Sequence, residues 1–446
     1  MFQLKKWTFI VVLLIFTGCS KKEPDIYFNS NKALKYFTTI DSICNSDNGR
    51  LWGSNIKAPV MFIDRPTRRV FANKPDNQEL LKLRDGVYQG IFPRERIIEN
   101  SAVDFGGVVY AMVPLPSEED PYRIKTSAIN ALYRYYQRNN GIDPGKFAIR
   151  YLNEKSARIW IKLELRALKK TISADSSQCL QYLRDAIIFR GARREQYKAS
   201  IKDENRFEIY NGLSMLTSIL LCNDSLDAIK NRLLDCISSS YKFASFSRSY
   251  GSVTGAVYSY LLYRSGFDLK TLSVEDSDIG NIVINHFGLE VPGIYRDVAG
   301  SLAVVYDVDS IYKEEEQRMA EIRERMQRQL SKFTMMPVLS LELESPNFDY
   351  EPEDIKSLDT LGIIYNAIRV SDNWGKLTVE KGGCLLTNNL KYIRLGAKNI
   401  KESKNHVYGD GWHLMLNNNW KIIKVNDDYV LKKSLPQSLS RTEDYR

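Results

Sequence analysis

One change of hydrophobic period runs through this chain and limits what it can fold into. Between about residues 120 and 335 the apolar side chains recur every three or four positions: Ala157, Trp160, Ile161 and Leu168, then Leu180, Leu183 and Ile187, then Leu213, Leu216 and Leu220. That spacing puts them on one side of a helix. Before and after it the apolar runs are short and rich in β-branched residues, as in Pro59-Val-Met-Phe-Ile63, Arg69-Val-Phe-Ala72, Gly107-Val-Val-Tyr-Ala-Met-Val113, Ala367-Ile-Arg-Val370 and Tyr429-Val-Leu-Lys432. Asp85-Gly86, Gly106-Gly107, Gly382-Gly383 and Gly409-Asp-Gly411 separate such runs as turns. The pattern predicts an α+β chain with β-rich residues 51–116, helical residues 117–335 and a small β-rich domain over 336–446. A tether and an N-terminal helix fall in 19–50.

The first 18 residues read as an export signal. Lys5 and Lys6 open it, Thr8–Phe16 is apolar, and Thr17-Gly18 precede Cys19. The apolar run is far short of the roughly 20 residues needed to cross a bilayer. A cysteine directly after Thr-Gly resembles the lipobox of bacterial lipoproteins. The expectation is cleavage before Cys19, acylation of that cysteine, and an outer-membrane anchor facing the periplasm. Ser20–Asp25 would be the polar tether.

Composition narrows the partners. With 446 residues and 43% hydrophobic content the chain can bury a sizeable core. Its formal charge is +9, of which Lys5 and Lys6 leave with the signal, so +7 remains. No Lys/Arg block lies outside the helical stretches, which argues against nucleic acid and leaves a mild attraction to anionic membrane. Five cysteines follow Cys19: Cys44, Cys179, Cys222, Cys236 and Cys384. They show no paired framework; a Cys222–Cys236 bridge is one alternative and buried free thiols the other.

Histidine is scarce. His286 lies at the end of a predicted helix, where an imidazole can cap carbonyls, and His406 and His413 lie in the C-terminal β region. HExxH, HxxxH and HxH are absent, as are CxxC, GxSxG, GxGxxG and the P-loop, so neither a metal nor another cofactor is expected.

Several segments, in order, resemble a family of secreted bacterial proteins similar to gluzincin-type zinc peptidases. They include Leu51-Trp-Gly53, Pro59–Asp64, Asp85–Gly90, Met112-Val-Pro-Leu-Pro116, Arg158–Leu168, Phe189-Arg-Gly-Ala-Arg-Arg194, Ser245–Tyr250, Tyr365–Val370, Trp374-Gly375 and Gly409–Trp412. The resemblance implies a zincin-like helical domain with H-E-x-x-H on the helix after Pro-Leu-Pro and a carboxylate ligand on a later helix. In this chain Ile129 and Tyr133 stand at the two histidine positions and Asn130 at the base. Asn211 and Met215 replace the two acidic positions. Isoleucine gives zinc no donor, and an amide cannot take a proton from water.

The expectation is therefore a non-catalytic binding or scaffolding lipoprotein with a relict cleft near Ile129, Asn130, Tyr133, Glu164, Asn211, Met215 and Arg248. Its unknown partner would be a protein, peptide or glycan. Glu164 belongs to the apolar stripe 157–168, so its carboxylate should point inward to a basic partner such as Arg194 or Arg248. The alternative is a metal-independent hydrolase pairing Glu164 with another carboxylate such as Asp104. A third reading uses the charged helix near 308–333 to hold a partner. Its Glu314/Arg318, Glu321/Arg325 and Glu324/Arg328 pairs would line one side.

Overall fold

A computed structural model describes residues 27–143, 145, 147–349, 355–357 and 362–434. Cys19, the signal and the tether lie outside these residues. The chain forms two compact units, Met1–Lys313 and Glu314–Arg446. It is α+β, with a helical middle between β-rich parts. Among the described residues no helix is long and apolar enough to cross a membrane.

The first unit opens with α1 (Ser30–Asp47), started by Asn29, whose side chain accepts from Lys32 N, and ended at Asn48 in the left-handed region. Six strands follow: β1 (Val60–Ile63), β2 (Arg69–Ala72), β3 (Lys82–Arg84), β4 (Val87–Ile91), β5 (Ser101–Phe105) and β6 (Val108–Pro114). They make one sheet in the order β3-β4-β2-β1-β6-β5, with β1 and β6 parallel and the other pairs antiparallel. Residues on its central strands alternate between two cores. Val60, Phe62, Phe71, Ala111 and Val113 join the main core with Phe28 and Phe37, while Met61, Ile63, Val70, Tyr110 and Met112 form a second cluster. A strand buried on both sides needs an unbroken apolar run, as in Val-Met-Phe-Ile. The β3–β4 turn places Asp85 at φ 50° and Gly86 at φ 76°, the pair of positive angles that a two-residue hairpin asks of Asp-Gly.

The helices then follow in order: α2 (Pro121–Asn139), α3 (Lys155–Ser173), α4 (Ser176–Gln196), α5 (Ile201–Cys222), α6 (Leu226–Ser240), α7 (Tyr250–Arg264), α8 (Ile279–Phe287), α9 (Tyr295–Val305) and α10 (Val308–Thr334). The last runs past Lys313, so the compact units divide inside this helix and not after residue 335. The reason is visible at its far end, where Phe333 is buried with Ile364 and Leu385 of the second unit. Of the expected ion pairs, Arg328–Glu324 forms at 3.2 Å, while Arg318 reaches Glu315 at 2.6 Å.

The second unit is a sandwich of two largely antiparallel sheets. Its strands are β7 (Val338–Glu342), β8 (Asn347–Asp349), β9 (Ile355–Ser357), β10 (Gly362–Tyr365), β11 (Ile368–Asp372), β12 (Gly375–Val379) and β13 (Cys384–Thr387). After them come β14 (Tyr392–Gly396), β15 (Lys401–Ser403), β16 (His406–Gly409), β17 (Trp412–Leu416), β18 (Trp420–Val425) and β19 (Asp428–Lys433). The sheet orders are β18-β19-β7-β14-β13-β10-β9 and β15-β16-β17-β12-β11-β8. Leu339, Leu341, Ile393 and Leu395 of the first sheet share a core with Val370, Leu377, Leu414 and Leu416 of the second.

On the outer side of the second sheet, His406 Nδ1 and His413 Nε2 are 2.8 Å apart. The ring planes differ by only 8° with centroids 5.1 Å apart, so the imidazoles meet edge to edge and share one hydrogen. Tyr408 stacks on His413 at 4.6 Å. Burial and the neighbouring His406 push the His413 pKa down, against the pull of Glu380. A histidine whose folded pKa lies below its unfolded value of 6.5 binds protons more readily when unfolded. Stability is then full above that value and falls as pH drops through it. The urea midpoint of the sandwich should decline between about pH 7.5 and pH 5, and His413→Gln should flatten that decline. An unchanged slope in the variant would assign the acid sensitivity elsewhere.

Candidate functional site

The helix after Pro114-Leu115-Pro116 begins at Asp120, whose side chain accepts from Arg123 N, with Pro121 at its first position. That helix, α2, lies antiparallel against α5. Four contacts set the register. Asn223 Nδ2 donates to Tyr122 OH at 2.9 Å, and Lys125 Nζ to Cys222 O at 3.0 Å. Arg134 Nη2 donates to Asn211 Oδ1 at 2.6 Å, and Gln137 Nε2 to Tyr210 O at 3.0 Å. The two segments expected to line the relict cleft therefore lie side by side.

They meet through different side chains. Ile129 is fully buried, and Tyr133 packs against Trp52 with ring centroids 4.7 Å apart. Trp52 in turn donates from Nε1 to Thr217 Oγ1 at 3.1 Å. The α2 side chains that reach this end of α5 are Arg134, next to Tyr133, and Gln137, one turn beyond it. Arg134 was not foreseen. Its guanidinium also donates to Tyr210 O at 3.0 Å and lies 4.1 Å from the centre of the Tyr210 ring. Met215 opens on the other side of α5 into a pocket of about 250 Å³, with Tyr122, Thr126, Arg232, Cys236 and Phe243.

This seam does not suit zinc. Zinc sites take three or four nitrogen, sulfur or carboxylate donors. Asn130, Arg134 and Asn211 offer two amides and a fixed cation. Among the described residues no three His, Cys, Asp or Glu side chains gather to hold a metal ion.

Glu164 lies deeper, wholly buried. Arg193 Nη1 donates to its Oε2 at 2.5 Å, Tyr250 OH to the same oxygen at 2.9 Å, and Tyr258 OH to Oε1 at 2.9 Å. Its ion-pair partners are Arg193 and, at 3.6 Å, Arg190, rather than Arg194 or Arg248. Arg193 Nη2 donates to Glu204 Oε1 at 2.6 Å and also to Tyr250. Arg190 grips both oxygens of Glu208, while Thr254 donates to Glu208 Oε1 at 2.7 Å. Arg194 joins Glu204 at 2.8 Å and Asp278 at 2.8 Å. Three arginines of α4 thus face three glutamates of α3 and α5, with tyrosines of α7 between them.

The electrostatics follow from that packing. Burial works to raise the Glu204 carboxyl, but Arg193, Arg194 and Arg190 outweigh it and hold the group well below the usual carboxylate range. Burial drives the Tyr250 and Tyr258 hydroxyls far up. They therefore stay protonated and donate. Glu164 is wholly buried and Asp104 is exposed on β5, so these two carboxylates do not face one open cleft as a hydrolytic pair would. Arg248 is exposed on the short turn Phe246–Arg248. His286 meets the Ser265 hydroxyl at 2.7 Å rather than a carbonyl.

Comparison with protein-family models, with curated proteins and with solved structures gives no match. The site stands on its own geometry.

Cys222 and Cys236 are free thiols, pushed up to about 12 and about 11, in each case first by burial. Repeats of four carried a readable signal for part of the buried network. Glu204 and Glu208, and Tyr250, Thr254 and Tyr258, each share one side of a helix that is otherwise rich in apolar residues.

Proposed function

We propose that this chain is a periplasm-facing lipoprotein anchored through Cys19, and that its helical core is a non-catalytic scaffold descended from a zinc-peptidase plan. One observation carries the reading. At the seam of the two helices that resemble ligand helices, Arg134 donates to Asn211 at 2.6 Å. A guanidinium stays protonated in a protein, so its charge opposes a metal cation at that place and its hydrogen bonds tie the helices together instead. The scaffold then works by presenting a surface to a protein, peptide or glycan in the cell envelope.

The register supplies the test. Asn130→His, Arg134→His and Asn211→Glu together put two imidazoles and a carboxylate on the seam. That variant should take up one zinc per chain by elemental analysis, while Ile129→His with Tyr133→His should take up none. If the folded triple variant binds no zinc, the peptidase ancestry loses its support. A native chain purified with one tight zinc would overturn the non-catalytic reading. The anchor is checked separately: Cys19→Ser should move the chain from the membrane fraction to the soluble one, with loss of acyl label.

A further inference from the structure

At the carboxyl ends of β1 and β6 the chain leaves the sheet in two directions. These strands are the parallel pair, in register through Ile63 and Pro114. After Ile63 the turn at Asp64–Thr67 leads back to β2, whereas after Pro114 the chain runs through Leu115–Ser117 into α2. Diverging connections beyond parallel strands leave a crevice, which is where open sheets commonly bind ligands. Here the crevice is a cleft of about 500 Å³. Tyr27 closes one wall by donating to Pro116 O at 2.8 Å.

The lining is chemically lopsided. Arg65 and Arg123 both border the cleft. Neither guanidinium has a hydrogen-bond or ion-pair partner among the described residues. The single acid, Asp64, uses Oδ2 on its own turn, accepting from Thr67 N at 3.0 Å and Thr67 Oγ1 at 2.5 Å. Ser117 and Ser127 add hydroxyls to the wall. Asn100 donates from Nδ2 to Ser127 O at 2.8 Å, and its buried Oδ1 has no partner among the described residues.

We propose that this cleft binds a phosphate monoester on a hydroxylated body, either a free sugar phosphate or a lipid headgroup bearing the same group. Two unpaired guanidiniums match the charge of about −2 that a phosphate monoester carries near neutral pH, and their forked donors fit its oxygens. Asp64 Oδ1 and the serines suit the hydroxyls beside the phosphate. The α2–α5 seam takes no part in this site.

The test is calorimetric titration of the full mature chain in detergent with glucose 6-phosphate and, in a second arm, with a soluble short-chain lysophosphatidate, whose glycerol keeps a free hydroxyl beside the phosphate. Binding in the first arm identifies a free sugar phosphate as the source, and binding in the second alone identifies a headgroup. In either arm Arg65→Ala and Arg123→Ala should each weaken binding by about tenfold or more. Arg264→Ala, at the exposed end of α7, should change nothing. Because both cleft arginines are exposed and unpaired, their removal should leave the thermal midpoint unaltered. Failure of both ligands to bind, equal binding of glucose without phosphate, or binding that survives the double Arg65/Arg123 variant each overturns the site.

Discussion

Arg193→Met should cost the first unit about 3–5 kcal/mol, the loss expected when one member of a buried ion network is removed. Whole domains are stable by only about 5–15 kcal/mol, so the variant should be close to unfolding at room temperature. Arg193 is wholly buried and bridges two carboxylates, Glu164 at 2.5 Å and Glu204 at 2.6 Å. Without it Arg190 and Arg194 alone face Glu164, Glu204, Glu208 and Asp278, and the uncompensated negative charge in a region of low dielectric grows by one. Lysine should not rescue, because one ammonium on a flexible stem cannot hold two separate carboxylates in the guanidinium's fork. Pairing the change with Glu164→Met should recover part of the loss, since the double variant restores the wild-type balance of charge. Urea denaturation of the full chain measures all three. A cost under about 1 kcal/mol for Arg193→Met would place it in the range of surface pairs and contradict the buried network.

The same network gives the unit a pH dependence with a definite sign. The Glu204 carboxyl is held below its unfolded value of 4.5 by Arg193, Arg194 and Arg190, against burial. The unfolded chain therefore takes up protons first as pH falls. The contribution is present above that unfolded value and is lost on acidification. It is a structural ion cluster tying α3, α4, α5 and α7 together, with Glu164 wholly buried inside it.

Fold class was legible because period is a local property: a few turns of three-and-four spacing, or a Val-Met-Phe-Ile run beside an Asp-Gly turn, commit a segment by themselves. The inward direction of Glu164 was legible for the same reason, since Ala157, Ile161 and Leu168 share its side of α3. The choice of Arg193 over Arg194 was not. These residues are adjacent in sequence but about 100° apart around the helix, and what separates them is the placement of α3 and α5, which no single helix encodes. The part of Arg134 in joining α2 to α5 was not legible either. With no histidine left to mark the inner positions, Ile129/Tyr133 and Asn130/Arg134 are equally good i,i+4 pairs on paper. What each side chain meets, Trp52 for Tyr133 and Asn211 for Arg134, depends on segments far away in sequence. The last helix misled in another way, because its charged surface conceals that Phe333 packs with Ile364 and Leu385 in a small cluster apart from the sandwich core.

Gly255→Ala should destabilise the first unit by about 3 kcal/mol. A Cβ at Gly255 would lie 2.2 Å from Glu208 O, and one at Gly212 would lie 2.5 Å from the Gly255 backbone. Both obstacles are main chain, so no side chain can swing aside; α5 and α7 would have to separate. Separation is costly here because Glu208 holds Thr254 at 2.7 Å and Arg190 on the same stretch of α5. Prying the helices apart therefore also strips a buried carboxylate of its donors. Gly300→Ala is the matching control, since a Cβ there meets nothing within 4 Å. It should be neutral or stabilise α9 by about 0.5–1 kcal/mol, the usual gain of alanine over glycine inside a helix. Thermal and urea unfolding of the two variants decide the matter: if Gly255→Ala is as stable as Gly300→Ala, α5 and α7 do not approach as closely as this packing requires.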